Sequence, residues 1–141
     1  MTTTPLVIDS SVIIKWLSSD EERYIDLADN LLKDAQEGKI EIVVPELAKY
    51  EVGNVLLFSK KLSIEQGKLS LAQFYSLPIT FIAESQDIAE LSYSFAKNLG
   101  ITYYDAVFLS IAKQYGATLV TENIKHQGKS SAIEVISLKD Y

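Results

Sequence analysis

Short runs of β-branched and other apolar residues alternate along this chain with stretches whose apolar residues recur at helical spacing. Parallel strands need a long crossover between them, so the alternation predicts βαβ units: one parallel sheet with helices on both faces. Leu6–Ile8 reads as the first strand, and Val12, Ile13 and Trp16 give Ser10–Leu17 a helical period. Asp20, Glu21 and Glu22 place acids at the start of a longer helix through Leu27, Leu31, Leu32 and Ala35, with Gly38 as its stop. Ile40–Val44 reads as a strand. Pro45 favours a helix start, and Leu47, Ala48, Val52, Val55, Leu56 and Phe58 give that helix a broad apolar face. Further helices are expected over Ile64–Tyr75, over Asp87–Leu99 with Gly100 as its end, and over Asp105–Tyr115 with Gly116 as its end. Leu77–Ile82, Thr118–Thr121 and Ile133–Ile136 read as the remaining strands, with Glu122–Ser131 a polar loop containing Gly128. An apolar content of 48% over 141 residues supports one ordinary core and no second, so residues 1–141 read as a single domain.

Composition narrows the chemistry. No basic segment precedes a long apolar stretch, and Asp9 and Lys15 break the first one, so the expectation is a soluble, cytoplasmic protein with neither signal peptide nor membrane span. The absence of cysteine excludes disulfides, thiolate zinc sites and cysteine nucleophiles, and a single histidine, His126, excludes any site built on two imidazoles. Oxygen ligands remain. A formal net charge of -6 argues against broad electrostatic capture of nucleic acid, because such affinity scales with the cations a protein presents.

Three carboxylates stand out by position. Asp9 closes an apolar run, Glu51 lies inside the helical pattern after Pro45, and Asp105 opens another after Gly100. Brought together, they would raise one another's pKa or demand a cation, which makes a divalent-metal site the leading expectation. Sites in open parallel sheets form at the carboxyl ends of the strands, the edge that Asp9 and the Glu122–Asn123 pair occupy. Each acid also has an ordinary reading: Asp9 caps a helix, Asp105 complements a helix dipole, and Glu51 is solvated. Their joint placement favours the metal site. His126, between Lys125 and Gln127, reads as a solvated loop residue rather than a general base. Tyr103 and Tyr104 offer stacking surfaces for unpaired bases or serve as core residues. Lys15, Lys49, Lys125 and Lys129 lie near the proposed edge, while Arg23 is the only arginine. The stretch from Glu46 to Tyr75 carries more large hydrophobes than one buried stripe requires, which points to a dimer or partner surface.

Taken in order, the segments VIDSSVIIKW, VPELAKYEVGNVL, YYDAVFLSIA and LVTEN resemble the PIN-domain ribonucleases, especially small toxins of the VapBC type, over nearly the whole chain. The resemblance implies a three-layer α/β/α fold, acidic positions gathered at one edge of the parallel sheet, Mg²⁺ or Mn²⁺ as cofactor, and metal-dependent cleavage of RNA. It also implies a homodimer held by a small antitoxin protein. Matched residue by residue, Asp9, Glu51 and Asp105 are the catalytic acids and Ser11 the small polar residue after the first acid. The fourth position departs from the family pattern: where Thr, any residue and Asp are usual, the chain has Thr121, Glu122 and Asn123. Asn123 keeps an oxygen but loses a charge, and Glu122 substitutes only if the loop turns its side chain inward. Asp9 and Asp105 are then the main ligands and Glu51 acts directly or through water, with Thr121, Asn123 and Asn54 in the surrounding shell. Two rival readings stand beside the ribonuclease: a catalytically weakened PIN-like module that binds RNA or regulates, and a metal-dependent phosphohydrolase of small esters.

Overall fold

The computed structural model describes residues 3–18 and 22–141. Among them, strands β1 (Thr4–Ile8), β2 (Ile40–Pro45), β3 (Ile79–Ile82), β4 (Thr118–Thr121) and β5 (Val135–Ser137) form one sheet in the order β3-β2-β1-β4-β5. Every pairing is parallel, with Leu6 opposite Ile42, Ile8 opposite Val120, Val44 opposite Phe81 and Val120 opposite Ile136. The central strands carry apolar side chains on both faces, as a sheet covered twice requires.

The connections explain the layering. From β1 the chain steps to β2 and then to β3 in one direction; α1 (Ser10–Leu17), α2 (Ile25–Gln36), α3 (Leu47–Asn54) and α4 (Ile64–Ser76) lie within those crossovers. The return from β3 past β1 to β4 carries α5 (Gln86–Leu99) and α6 (Tyr103–Tyr115). Because crossovers between parallel strands are right-handed, reversing direction moves this pair to the other face, giving three α/β/α layers. Helix α6 packs on β1, β2 and β4 and against α5, whereas α1 packs on α2. Adjacent strands β1 and β4 send their chains in opposite directions, so their carboxyl ends flank the topological switch point.

Several boundaries differ from expectation. The acid run Asp20–Glu22 was expected inside a helix; Asp20 and Glu21 lie outside the described residues, and the helix begins only at Ile25 because Tyr24 has left-handed backbone (φ 59°). Glu22 instead bridges Lys15, at 3.2 Å, and Lys60. Pro45 ends β2 rather than starting a helix. The helix that follows stops at Asn54 and widens into a π-helical turn, Val55–Ser59, closed by Lys60 N donating to Val55 O at 2.9 Å. Strand β3 starts at Ile79 because Leu77 N is taken by Phe74 O and Pro78 has no N–H. The polar loop after β4 contains a short helix, α7 (Ile124–Gln127), and the last strand lies at Val135–Ser137 rather than Ile133–Ile136. Gly100 and Gly116 end α5 and α6 as expected, and their left-handed backbone, with φ of 66° and 61°, is one that glycine adopts without strain.

Only Phe74 of α4 is fully buried, its ring edge-on to Phe81 at 5.6 Å. Tyr50, Leu57, Phe58, Ile64, Leu69 and Tyr75 are exposed, so the hydrophobic surplus read from the sequence does lie at the surface. Among the described residues no helix is long and apolar enough to cross a membrane.

Candidate active site

Asp9 is placed by the sheet itself. Its backbone N–H donates to Val120 O at 3.2 Å, extending the β1–β4 ladder by one residue, so the side chain emerges at the switch point. There it caps α1: Oδ1 accepts from Ser11 N at 3.0 Å and from the Ser11 hydroxyl, and Oδ2 accepts from Thr121 Oγ1 at 2.6 Å. The capping role therefore coexists with a place at the switch point. Thr121 accepts in turn from Asn123 N at 2.8 Å, and Ser11 Oγ accepts from Glu122 N at 3.1 Å. These bonds lock the end of β4 to the start of α1.

Glu51 projects from α3 and is half-buried; its Oε1 accepts from Ser10 Oγ at 2.7 Å, which ties it to the residue beside Asp9. Asp105 sits in the first turn of α6, whose start is two residues earlier than expected because the Thr102 hydroxyl accepts from Asp105 N at 3.1 Å. Burial pushes the Asp9 carboxyl above its ordinary range; hydrogen bonds from Ser11 and Thr121 oppose the shift, and the charge on Asp105 adds to it. Burial likewise pushes Glu51 up, against the Ser10 bond, with Asp9 and Asp105 both contributing repulsion. The three acids named from the sequence thus share one electrostatic neighbourhood.

Convergence stops short of a closed cage. Among the described residues no group of three or more His, Cys, Asp or Glu side chains is arranged to hold one ion. The donor chemistry nevertheless fits a hard octahedral cation, which retains several waters and needs only one or two direct carboxylates. Glu122 is otherwise engaged: its Oε1 accepts from Leu138 N at 3.4 Å and its Oε2 lies 3.9 Å from Lys15 Nζ. Asn123 is half-buried at the start of α7, Asn54 stands one turn beyond Glu51, and His126 is exposed. A cleft of about 540 Å³ beside the acids is lined by Leu47, Tyr50, Glu51, Asn54 and Tyr104.

Two contributors had gone unnoticed in the sequence. Ser10 looked like an ordinary helix-start residue, although a hydroxyl adjoining a strand-end acid was a usable signal. Gln127 had none: it is fully buried, its Nε2 donates to Asp105 O at 3.3 Å, and its Oε1 has no hydrogen-bond partner among the described residues. An unsatisfied buried acceptor costs about 1–3 kcal/mol and a long neutral hydrogen bond contributes about 1 kcal/mol or less. Gln127→Met is therefore expected to match or exceed the parent's stability in urea unfolding, and a loss above about 2 kcal/mol would mean that the amide oxygen is satisfied in solution.

A family model described as the PIN domain matches residues 6–128. Among solved structures, VapBC2 of Rickettsia felis bound to a promoter DNA fragment superposes with a TM-score of 0.74 at 19% identity, covering 95% of this chain and 98% of that one. A toxin-antitoxin complex from Klebsiella pneumoniae gives 0.68 at 20% identity, with 94% and 97% covered. VapC20 of Mycobacterium tuberculosis, a sarcin-ricin loop cleaving toxin, gives 0.63 at 12% identity, with 82% and 86% covered. At these identities the structural likeness speaks for the fold alone. No curated protein sequence matches the chain.

Proposed function

Because this chain belongs to the PIN-domain family, we propose that it is a divalent-metal-dependent endoribonuclease, the toxin of a toxin–antitoxin pair acting in the cytoplasm. The observation that carries the reading is the grouping of Asp9, Glu51 and Asp105 near the switch point, where Asp9 is pushed toward protonation by burial and the charge on Asp105, and Glu51 by burial and the charges on Asp9 and Asp105. Asp9 and Asp105 would hold the ion directly, Glu51 directly or through water, and Thr121, Asn123, Ser11 and Asn54 would orient the surrounding shell. Bound Mg²⁺ or Mn²⁺ supplies polarisation of the phosphodiester and a water acidic enough to attack it. The protein's part is positional: Ser11 and Thr121 fix the two Asp9 oxygens, and Ser10 fixes one oxygen of Glu51. Attack by water leaves a 5′-phosphate on the downstream fragment. The exposed apolar side chains of the π-helical turn and α4 suit a second copy or an antitoxin.

A second reading, a weakened RNA-binding or regulatory module, draws support from Asn123 at the fourth position and from Glu122 being engaged by Lys15. One experiment separates the two: single-stranded RNA incubated with Mg²⁺, Mn²⁺ or EDTA, with Asn123→Asp in parallel. The expected result is cleavage that EDTA abolishes, and Mn²⁺ affinity about tenfold higher in Asn123→Asp, since affinity at oxygen-ligand sites follows ligand charge. A silent parent with an active Asn123→Asp would establish the weakened module.

A further inference from the structure

The cleft beside Glu51 contains two aromatic rings from separate elements, Tyr50 on α3 and Tyr104 on α6, exposed to 78% and 59%. The neighbouring Tyr103 behaves differently: it is half-buried and its hydroxyl donates to Glu84 Oε1 at 3.0 Å. Of the adjacent pair, then, Tyr103 is held by the fold and Tyr104 is offered to the cleft. Leu47 adds an apolar wall, and Asn54 adds an amide that both donates and accepts, the combination that reads a base edge. Away from a bound cation, phosphate has little reason to occupy this space, because the cleft includes Glu51 and the chain carries a net charge of -6. A neutral, flat, polar-edged group meets all of these conditions.

We infer that this cleft binds an unpaired nucleobase of single-stranded RNA, with Tyr50 and Tyr104 as stacking surfaces and Asn54 facing the base edge. The inference rests on the ribonuclease reading for its ligand, since a phosphodiester held at the acids brings the attached base within a nucleotide's reach of the cleft. Stacking on aromatic side chains is tolerant of sequence and contributes substantially to each base bound. Tyr50 and Tyr104 are therefore specificity residues for unpaired over paired strands.

The test is fluorescence anisotropy of labelled single-stranded RNA octamers in EDTA, where no metal-dependent cleavage proceeds. Tyr50→Ala and Tyr104→Ala are each expected to weaken binding about tenfold, while the Phe variants retain parental affinity because the ring is kept. Octamers with one abasic position are expected to lose a similar factor at a single site along the strand. Both Ala variants should melt with the parent, since the rings are exposed. Parental affinity in the Ala variants, equal losses in Ala and Phe variants, or indifference to every abasic position would overturn the inference. So would a change of oligomeric state in the Ala variants by light scattering, or loss of affinity for a basic peptide but not for RNA; either assigns the rings to a protein partner. A parent that never cleaves RNA while the Ala variants lose affinity removes the nuclease reading and leaves the base site standing. A cleaving parent with unaltered Ala variants does the reverse.

Discussion

Asp9→Asn is expected to abolish the proposed RNA cleavage, with kcat falling by at least about 10²–10³-fold, the loss typical when a group that offsets transition-state charge is removed. The side chain keeps its shape, and Ser11 N and Oγ can still donate to the remaining oxygen. Thr121 has to turn its hydroxyl to accept from the new amide, a reversal of one hydrogen bond rather than its loss. What disappears is the charge. Because burial is the main reason that the Asp9 carboxyl is pushed up, the metal-free variant should melt above the parent at neutral pH. Divalent metal should then raise the parent's Tm and leave the variant's unchanged, since a ligand stabilises only the state that binds it. Calorimetric melting with and without Mn²⁺, beside a cleavage assay, checks both halves. An active Asp9→Asn variant would remove Asp9 from the site.

Glu22→Gln should destabilise the fold through loss of a single charge. Lys15 is buried, with 4% of its side chain accessible, and Glu22 lies 3.2 Å from it. Deleting the carboxylate charge leaves that ammonium, among the described residues, with Glu122 at 3.9 Å, and costs about 2 kcal/mol, less than for a fully enclosed pair because Glu22 keeps some contact with water. The pH dependence carries the signature. Burial pushes Glu22 up, but hydrogen bonds from Lys60 and Lys15 outweigh it and hold the carboxyl below its ordinary value of 4.5. A group with a depressed folded-state pKa contributes stability above its unfolded pKa and loses that contribution as pH falls through the folded value. The gap between parent and variant in urea unfolding should therefore be full at pH 7 and close at acid pH below that value. A gap that persists in acid would mean that the glutamine is misfitted rather than uncharged.

The order of strands and helices was legible because hydrophobic period is a local property, visible within each stretch of a few residues. So were Asp9, whose apolar run ends abruptly in an acid, and Asp105, which follows a glycine stop. Glu51 was legible only through the ordered motifs, since nothing local separates it from a solvated helix glutamate. The break at Asn54 escaped notice because Val55, Leu56 and Phe58 continue a helical pattern that a π-turn does not disturb in sequence. Tyr24 escaped because tyrosine carries no preference for left-handed backbone.

Taken alone, the sequence determined the α/β class and the parallel sense of the sheet, since these follow from residue type and period, and it singled out Asp9 and Asp105 by position and Glu51 by the family resemblance. Tertiary structure decided everything that depends on two distant segments meeting. Ser10 reaches Glu51 across 41 residues and Thr121 reaches Asp9 across 112. Glu122 is engaged by Lys15 and Leu138 N, and Gln127 is enclosed against Asp105. The direction of a side chain at a strand end is set by whichever partner lowers its free energy once the chain has folded, and that partner is written nowhere near it in the sequence.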